Sequence, residues 1–230
     1  MLAGHVAAGV AAAQPANANV HGKVADEGGK PVAAARISYQ RLPLTVKNGQ
    51  GRWEEAPGEA HVNAQTGGDA GGGYSIPQLP AGNYILCVSA PGYLASCEWS
   101  AWHRLTIADG QVLDFGTLAL AKAAVVTIRV DDPMLLMQST GKVAPPLVVG
   151  VQDQSNRFHA ARQTSADSSG RVFQVDVPYD KPLRFWVQSW KFRITDSSGA
   201  PLNNFGALIP FQAEQNSALP QFRIRIVGTL

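Results

Sequence analysis

The chain reads as an all-β protein built from two β-sandwich modules, and three observations carry that expectation. No stretch of about 12 residues keeps the 3.6-residue apolar period of a helix. Short apolar runs recur instead, spaced by roughly 8–12 residues and separated by Gly, Pro, Asn and Asp, as in sandwiches and barrels. Gly 23 and Pro 15 among 230 residues supply the turns. They stay below the combined share, roughly 25–30%, that marks a low-complexity chain. A hydrophobic fraction of 45% is enough for real cores.

The elements follow in chain order. Val20–Ala25 is a strand stopped by the turn Asp26–Gly29, and Ala34–Gln40 is the next. Residues 41–73 are long and irregular, with one short strand near His61–Gln65. Gly71–Gly73 leads into Tyr74–Ile76, and Leu79–Gly82 turns the chain into Asn83–Ala90. Tyr84, Leu86 and Val88 share one face of that strand. His103–Ile107 ends at Asp109–Gly110, and Gly116–Ala121 closes the first module. The second module holds Val125–Val130, Pro146–Gln152, Val172–Val177 and the long run Leu183–Ile194, before the turn Asp196–Gly199. In its last strand Phe222, Ile224 and Ile226 alternate with Arg223 and Arg225, which puts one face inside and one in water. A faint repeat pairs residues 22–36 with 150–162, and residues 72–88 with 170–187. The organisation read from this is a leader over 1–19, a first sandwich over 20–121 and a second over 122–230.

The compartment is read from two features. Residues 1–13, MLAGHVAAGVAAA, are small and apolar and end in the Ala-x-Ala form of a signal-peptide cleavage site, although a charged n-region is missing. Cys87 and Cys97 lie symmetrically about Gly92. If Tyr84–Val88 and Leu94–Trp99 form a hairpin, the two cysteines stand opposite each other, within bridging distance. A disulfide goes with an oxidising compartment, whereas two buried free thiols would go with the cytosol. The expectation is a secreted or periplasmic protein with a Cys87–Cys97 bridge. No apolar run is long enough for a transmembrane helix.

Residues 20–121 resemble a carboxypeptidase regulatory-like domain, a prealbumin-like (transthyretin-like) sandwich of Greek-key, immunoglobulin-like type. The resemblance rests on Val20–Val24, on Asp26 with Gly29-Lys30-Pro31-Val32, and on Ala34–Ile37. It continues through Gly73-Tyr74-Ser75-Ile76, Leu79-Pro80-Ala81-Gly82-Asn83-Tyr84, Ala90-Pro91-Gly92-Tyr93 and Asp114–Leu118. The 41–73 stretch departs from the family, which has a short loop there. The resemblance implies a scaffold of the carbohydrate-binding-like fold group and no chemistry of its own. A rival with that fold, the 5-hydroxyisourate hydrolases, ends in Tyr-Arg-Gly-Ser, and this chain ends Ile226-Val227-Gly228-Thr229-Leu230.

Catalytic patterns are missing. His5, His21, His61, His103 and His159 have no His or Glu at the spacing of a zinc site, and no nucleophile elbow, P-loop or dinucleotide-binding glycine motif occurs. No catalytic residue, metal or cofactor is expected. Asp131, Asp132 and Asp167 lack calcium-loop spacing and read as solvated turn residues. A net charge of +2 with no basic cluster argues against a nucleic-acid partner. Binding potential rests on aromatics. Trp53, Trp99 and Trp102 are the candidate ligand-binding residues, because an indole offers an apolar face that suits a sugar ring. Trp186 and Trp190 flank Gln188 on one face of a strand and are expected to fill the second core. The function read from the sequence is non-catalytic recognition or structural support at the cell envelope. Its partner is a polysaccharide or, alternatively, an envelope protein bound in adhesin-like fashion. A hydrolase with an unrecognised site is the remote alternative.

Overall fold

A computed structural model describes residues 17–42, 45–47, 53–55, 63–100, 102–139 and 147–230. The leader-like residues 1–13 lie outside them. The described chain is all-β and folds as two compact units. The first is built from the stretch up to Ala25 with Pro31–Val88 and Trp102–Leu118; the second from Asp26–Lys30, Ser89–Ala101 and Ala119–Leu230.

The first unit carries β1 (Ala18–Asp26), β2 (Arg36–Arg41), β3 (Thr45–Lys47), β4 (Trp53–Glu55) and β5 (Asn63–Gly67). It continues with β6 (Gly73–Leu79), β7 (Gly82–Ser89), β8 (His103–Ile107) and β9 (Val112–Leu120). Its sheets have the orders β6-β1-β9 and β5-β2-β7-β8, with β3 and β4 paired apart. β7 shows why strands form here: Tyr84, Leu86 and Val88 are buried and alternate with half-buried neighbours. The stretch 41–73 is more structured than its composition implies. It holds the β3–β4 pair and β5, which extends the sheet beside β2.

The second unit carries α1 (Ser96–Trp99), β10 (Ala123–Asp131), a 3-10 turn (Leu136–Ser139), β11 (Leu147–Gln152), β12 (Phe158–Ala160) and β13 (Arg162–Asp167). Then come β14 (Gly170–Pro178), β15 (Pro182–Ser189), β16 (Phe192–Asp196), β17 (Phe205–Gln212) and β18 (Gln221–Thr229). Its sheets run β13-β14-β10-β18-β16 and β12-β11-β15-β17. Leave out β13 and β16 from the second unit and the β3–β4 pair from the first, and the two units share one seven-strand plan. β10 stands for β1, β14 for β6, β18 for β9, and the quartet β12-β11-β15-β17 repeats β5-β2-β7-β8. The core buries Val126, Ile128, Val149, Phe185, Val187, Phe192 and Ile224.

The shared plan corrects half of the sequence repeat. Residues 72–88 and 170–187 are equivalent, because both run through the matching strands β6–β7 and β14–β15. Residues 22–36 and 150–162 are not, since β1 corresponds to β10 rather than to β11. What the second pair shares is a turn. Asp26, Asp69, Asp153 and Asp196 each accept two backbone N–H groups on one carboxylate oxygen, from the second and fourth residues onward. The third residue after each, Gly29, Gly72, Asn156 or Gly199, has a positive φ of 80°, 76°, 63° or 89°. This is the side-chain-mediated turn for which Asp and Gly are favoured.

The disulfide is present: Cys87 and Cys97 are both bonded, and no described cysteine is free. Its geometry differs from the expected hairpin. β7 pairs with β8, Gly82 opposite Ile107 and Leu86 opposite His103. Residues 94–99 form no strand, and Ser96–Trp99 make α1. Leu94 donates its N–H to the Ala121 carbonyl at 2.9 Å, and Tyr93 bridges to Lys122. Those bonds take the segment out of register with β7. Glu98 in the first turn of α1 favours the helical turn.

Candidate functional site

The solvent-facing side of β12-β11-β15-β17 carries the best-formed candidate surface among the described residues. On β15, Leu183, Phe185 and Val187 point into the core, so Arg184, Trp186 and Gln188 point out. Trp186 pairs with Gly150 on β11 and with Leu208 on β17. Phe158 on β12 meets Trp186 with ring centroids 4.5 Å apart and planes tilted by 52°. Phe158, Trp186 and Leu208 thus form an apolar stripe across the strands. Gly150 makes the stripe possible, since a Cβ there would stand 2.7 Å from the Phe158 ring. Leu208 is 45% exposed. Phe158 and Trp186 are half-buried, and Arg184 is exposed beside them.

The expectation that Trp186 and Trp190 fill the second core is overturned. Their shared parity was read correctly, but the opposite parity won the inside, where Phe185 stacks on Phe222 at 4.4 Å. Trp190 stands in the turn after β15 and is 53% exposed. The sequence signal for the outward face was present in Arg184 and Gln188, polar residues on the same parity as Trp186.

The sequence-derived binding residues are divided between the units, Trp53 and Trp102 in the first and Trp99 in the second. Trp102 is 47% exposed just before β8. Trp53 is on β4, and its side chain lies outside the described residues. Trp99 is half-buried, and one ring face is covered by His159 at 3.6 Å with planes 4° apart. Its indole N–H is buried with no acceptor among the described residues. His159 is itself buried, and its Nε2 faces Asp153 Oδ2 at 3.1 Å. Burial raises the Asp153 carboxyl, but the Ser155 hydroxyl, His159 and the Arg157 N–H together outweigh it and bring it down to about 2. The cluster is a packed polar anchor with one indole face closed.

The acids also depart from the sequence reading. Asp131 and Asp167 are not free turn residues. Arg129 Nη1 and Nη2 donate to Asp167 at 2.6 and 2.9 Å, and Arg129 Nε donates to Asp131 at 3.1 Å. Arg223 Nε donates to the other Asp131 oxygen at 2.6 Å. The Arg129 and Ser169 bonds hold the Asp167 carboxyl well below the usual range. Asp132 is 3% exposed and accepts the N–H groups of Leu136 and Met137, capping the 3-10 turn. These carboxylates are committed to structure. Among the described residues, no three His, Cys, Asp or Glu side chains are grouped to hold a metal ion. No described helix is long and apolar enough to cross a membrane.

No family model matches the chain, and no curated protein matches it. Solved structures similar to it include a streptococcal ancillary pilin, at 13% identity and a TM-score of 0.41, covering 92% of this chain and 62% of that one. The TIE protein of Bacillus anthracis matches at 10% identity and 0.34, covering 92% of this chain and 34% of that one. Catechol 1,2-dioxygenase from Acinetobacter sp. ADP1 matches at 17% identity and 0.33, covering 49% of this chain and 54% of that one. The chain thus spans less than two thirds of the length of each of these proteins.

Proposed function

We infer that this is a non-catalytic, extracytoplasmic module of the cell envelope that recognises polysaccharide on the outer face of its second sandwich. The observation that carries the reading is the Phe158–Trp186–Leu208 stripe, an aromatic surface laid across a sheet and flanked by Arg184 and Gln188. Aromatic faces stack on the C–H face of a pyranose, while flanking polar groups reach its hydroxyls. The Cys87–Cys97 bridge supports an oxidising compartment. Trp53, Trp99 and Trp102 stay as secondary contacts in this reading, and Trp102 is more available than Trp99 because of its exposure. The resemblance of residues 20–121 to the carboxypeptidase regulatory-like domain is part of the same proposal and supplies a scaffold role.

The test is retention of the purified chain on a panel of insoluble and immobilised polysaccharides. Saturable retention that falls on Trp186→Ala is the expected result. Retention unchanged by Trp186→Ala, or absent on every glycan, overturns the reading.

A second reading has its own observation. β17 is an edge strand, with Leu208 and Ile209 exposed at 45% and 36%. Such an edge favours an envelope-protein partner that adds a strand. Pro210, which has no N–H to donate, opposes it. Cross-linking on intact envelopes that captures a protein through β17, with no glycan retention, would establish this alternative.

A further inference from the structure

We propose that a cleft at one end of the second unit binds a carboxylated sugar, a pyranose of the uronic-acid class. The cleft has a volume of about 400 Å³, within the range of roughly 300–1,000 Å³ seen for small-molecule sites. Five chain segments line it; Glu27 and Leu94 come from two of them, and the other three supply most of its polar groups. The first of these three is the start of β10, where Lys122 projects beside Ala121, held by the Leu94 N–H on the Ala121 carbonyl. The second is the β14–β15 turn, which brings Tyr179 and Lys181. The third is the loop after β17, which brings Gln215 and Asn216. The last two are tied together by the Asp180 N–H on the Ala213 carbonyl at 2.8 Å, so the walls are fixed before a ligand arrives.

The charge balance selects the ligand. Lys122 and Lys181 line the cleft together with one carboxylate, Glu27. No ion pair among the described residues neutralises either ammonium. Two lysines suit a ligand carboxylate. Gln215, Asn216 and Glu27 supply donors and an acceptor for ring hydroxyls, and the half-buried Tyr179 offers an aromatic edge to the apolar face of the ring. Asp180 and Asn216 hold positive φ values of 55° and 65° in the two turns. Left-handed non-glycine residues of this kind concentrate at ligand sites. The proposal draws its sugar class from the polysaccharide reading above, but its residues are separate from the stripe.

The experiment titrates sodium glucuronate, glucose and polygalacturonate into the full chain, reading ligand signals by saturation-transfer NMR and heat by calorimetry. Glucuronate binds at least about tenfold more tightly than glucose, the size of one charge-assisted contact. Lys122→Gln with Lys181→Gln erases that preference at an unchanged melting temperature, and Trp186→Ala leaves it intact. Polygalacturonate that competes with glucuronate places the ligand within a polymer; glucuronate binding without competition places it at a chain end or free. Either arm supports the site. Equal affinity for glucose and glucuronate, no saturable glucuronate signal, or a double lysine variant that binds as well as the parent overturns it. Failure of every neutral polysaccharide column with glucuronate binding retained removes the stripe reading and keeps this one.

Discussion

The two units share a strand order and hold it together differently. Among its described residues the first buries mainly aliphatic side chains, such as Val20, Ile37, Ile76 and Leu86, beside the aromatics Tyr74 and Tyr84. The Tyr84 hydroxyl reaches back to the Pro80 carbonyl at 2.8 Å and pins the corner that starts β7. The second unit fills the equivalent space with apolar rings: Phe185 stacks on Phe222, and Phe211 meets Phe222 edge-on at 5.0 Å. It also adds β13 and β16 at the two ends of one sheet. The first unit therefore pins its corner with one tyrosine hydroxyl, and the second adds packed aromatic rings to the polar anchors built on Asp132, Asp153 and Arg129. The plan belongs to the alternation of strands, and the means of securing it belong to individual residues.

The comparison is broken most directly at Phe185, which is fully buried. Phe185→Ala leaves a ring-sized cavity against Phe222 and costs about 3–5 kcal/mol. Denaturant unfolding followed by tryptophan fluorescence reads the loss; an unchanged midpoint would show that aromatic packing does not hold the second unit. The next effect belongs to the bridge. Cys97→Ser, or reduction, removes a closed loop of about 10 residues and costs roughly 2.5–3 kcal/mol in the chain-entropy account. Peptide mapping of native protein should find neither Cys87 nor Cys97 alkylated without prior reduction.

Two smaller changes sharpen the account of the β6–β7 corner. Gly82 has a φ of 154°, and a Cβ there would stand 2.7 Å from Arg41 Nε, whose Nη2 donates to the Ala81 carbonyl. Gly82→Val costs about 1–3 kcal/mol, and an unaltered thermal midpoint would refute the corner's role. Tyr84→Phe keeps the ring and removes the bond to Pro80, a loss of about 1–2 kcal/mol. The matching turn in the second unit, Tyr179–Lys181, has no such anchor to lose, so Tyr179→Phe should be nearly silent in the same scan.

Much of this was legible in the sequence, and the physical reasons mark where legibility stopped. Half-buried strands announce themselves by alternation, as Tyr84-Leu86-Val88 and Phe222-Ile224-Ile226 do. β13 does not, because all six of its residues are exposed and Arg-Gln-Thr-Ser-Ala-Asp carries no apolar period. β17 reads as a loop because Gly206 and Pro210 interrupt it, yet an edge strand tolerates both. The Cys87–Cys97 bridge is present, but the hairpin that symmetry about Gly92 implied is not, since Leu94–Trp99 is apolar enough to pass for a strand while Ser96–Trp99 is helical. At the candidate site, the chain shows that Trp186 and Trp190 share a parity. It does not show which parity faces in, because Phe185 and Trp186 compete for the core and the outcome depends on Phe222, far along the chain.

The smallest effect discriminates most finely between polar anchoring and plain packing in the first unit. Tyr74 lies opposite Gly22 across β1 and β6, is 5% exposed, and buries its hydroxyl with no partner among the described residues. Burial, reinforced by the Asp114 carboxylate, pushes its phenol up to about 12 from the ordinary 10.0. The folded chain keeps this proton where the unfolded chain has lost it. The corresponding stability is complete below pH 10, declines as pH rises above 10, and is gone above about 12. Tyr74→Phe removes an unsatisfied hydroxyl, so it is neutral or slightly stabilising at pH 7. It also flattens the alkaline decline between pH 10 and 12. Tyr84→Phe, by contrast, loses a made bond. Opposite signs for the two at neutral pH would show that only the Pro80-bound hydroxyl is an anchor. Equal losses would mean that Tyr74 finds a partner in solution, and the first unit would then rest on two polar anchors instead of one.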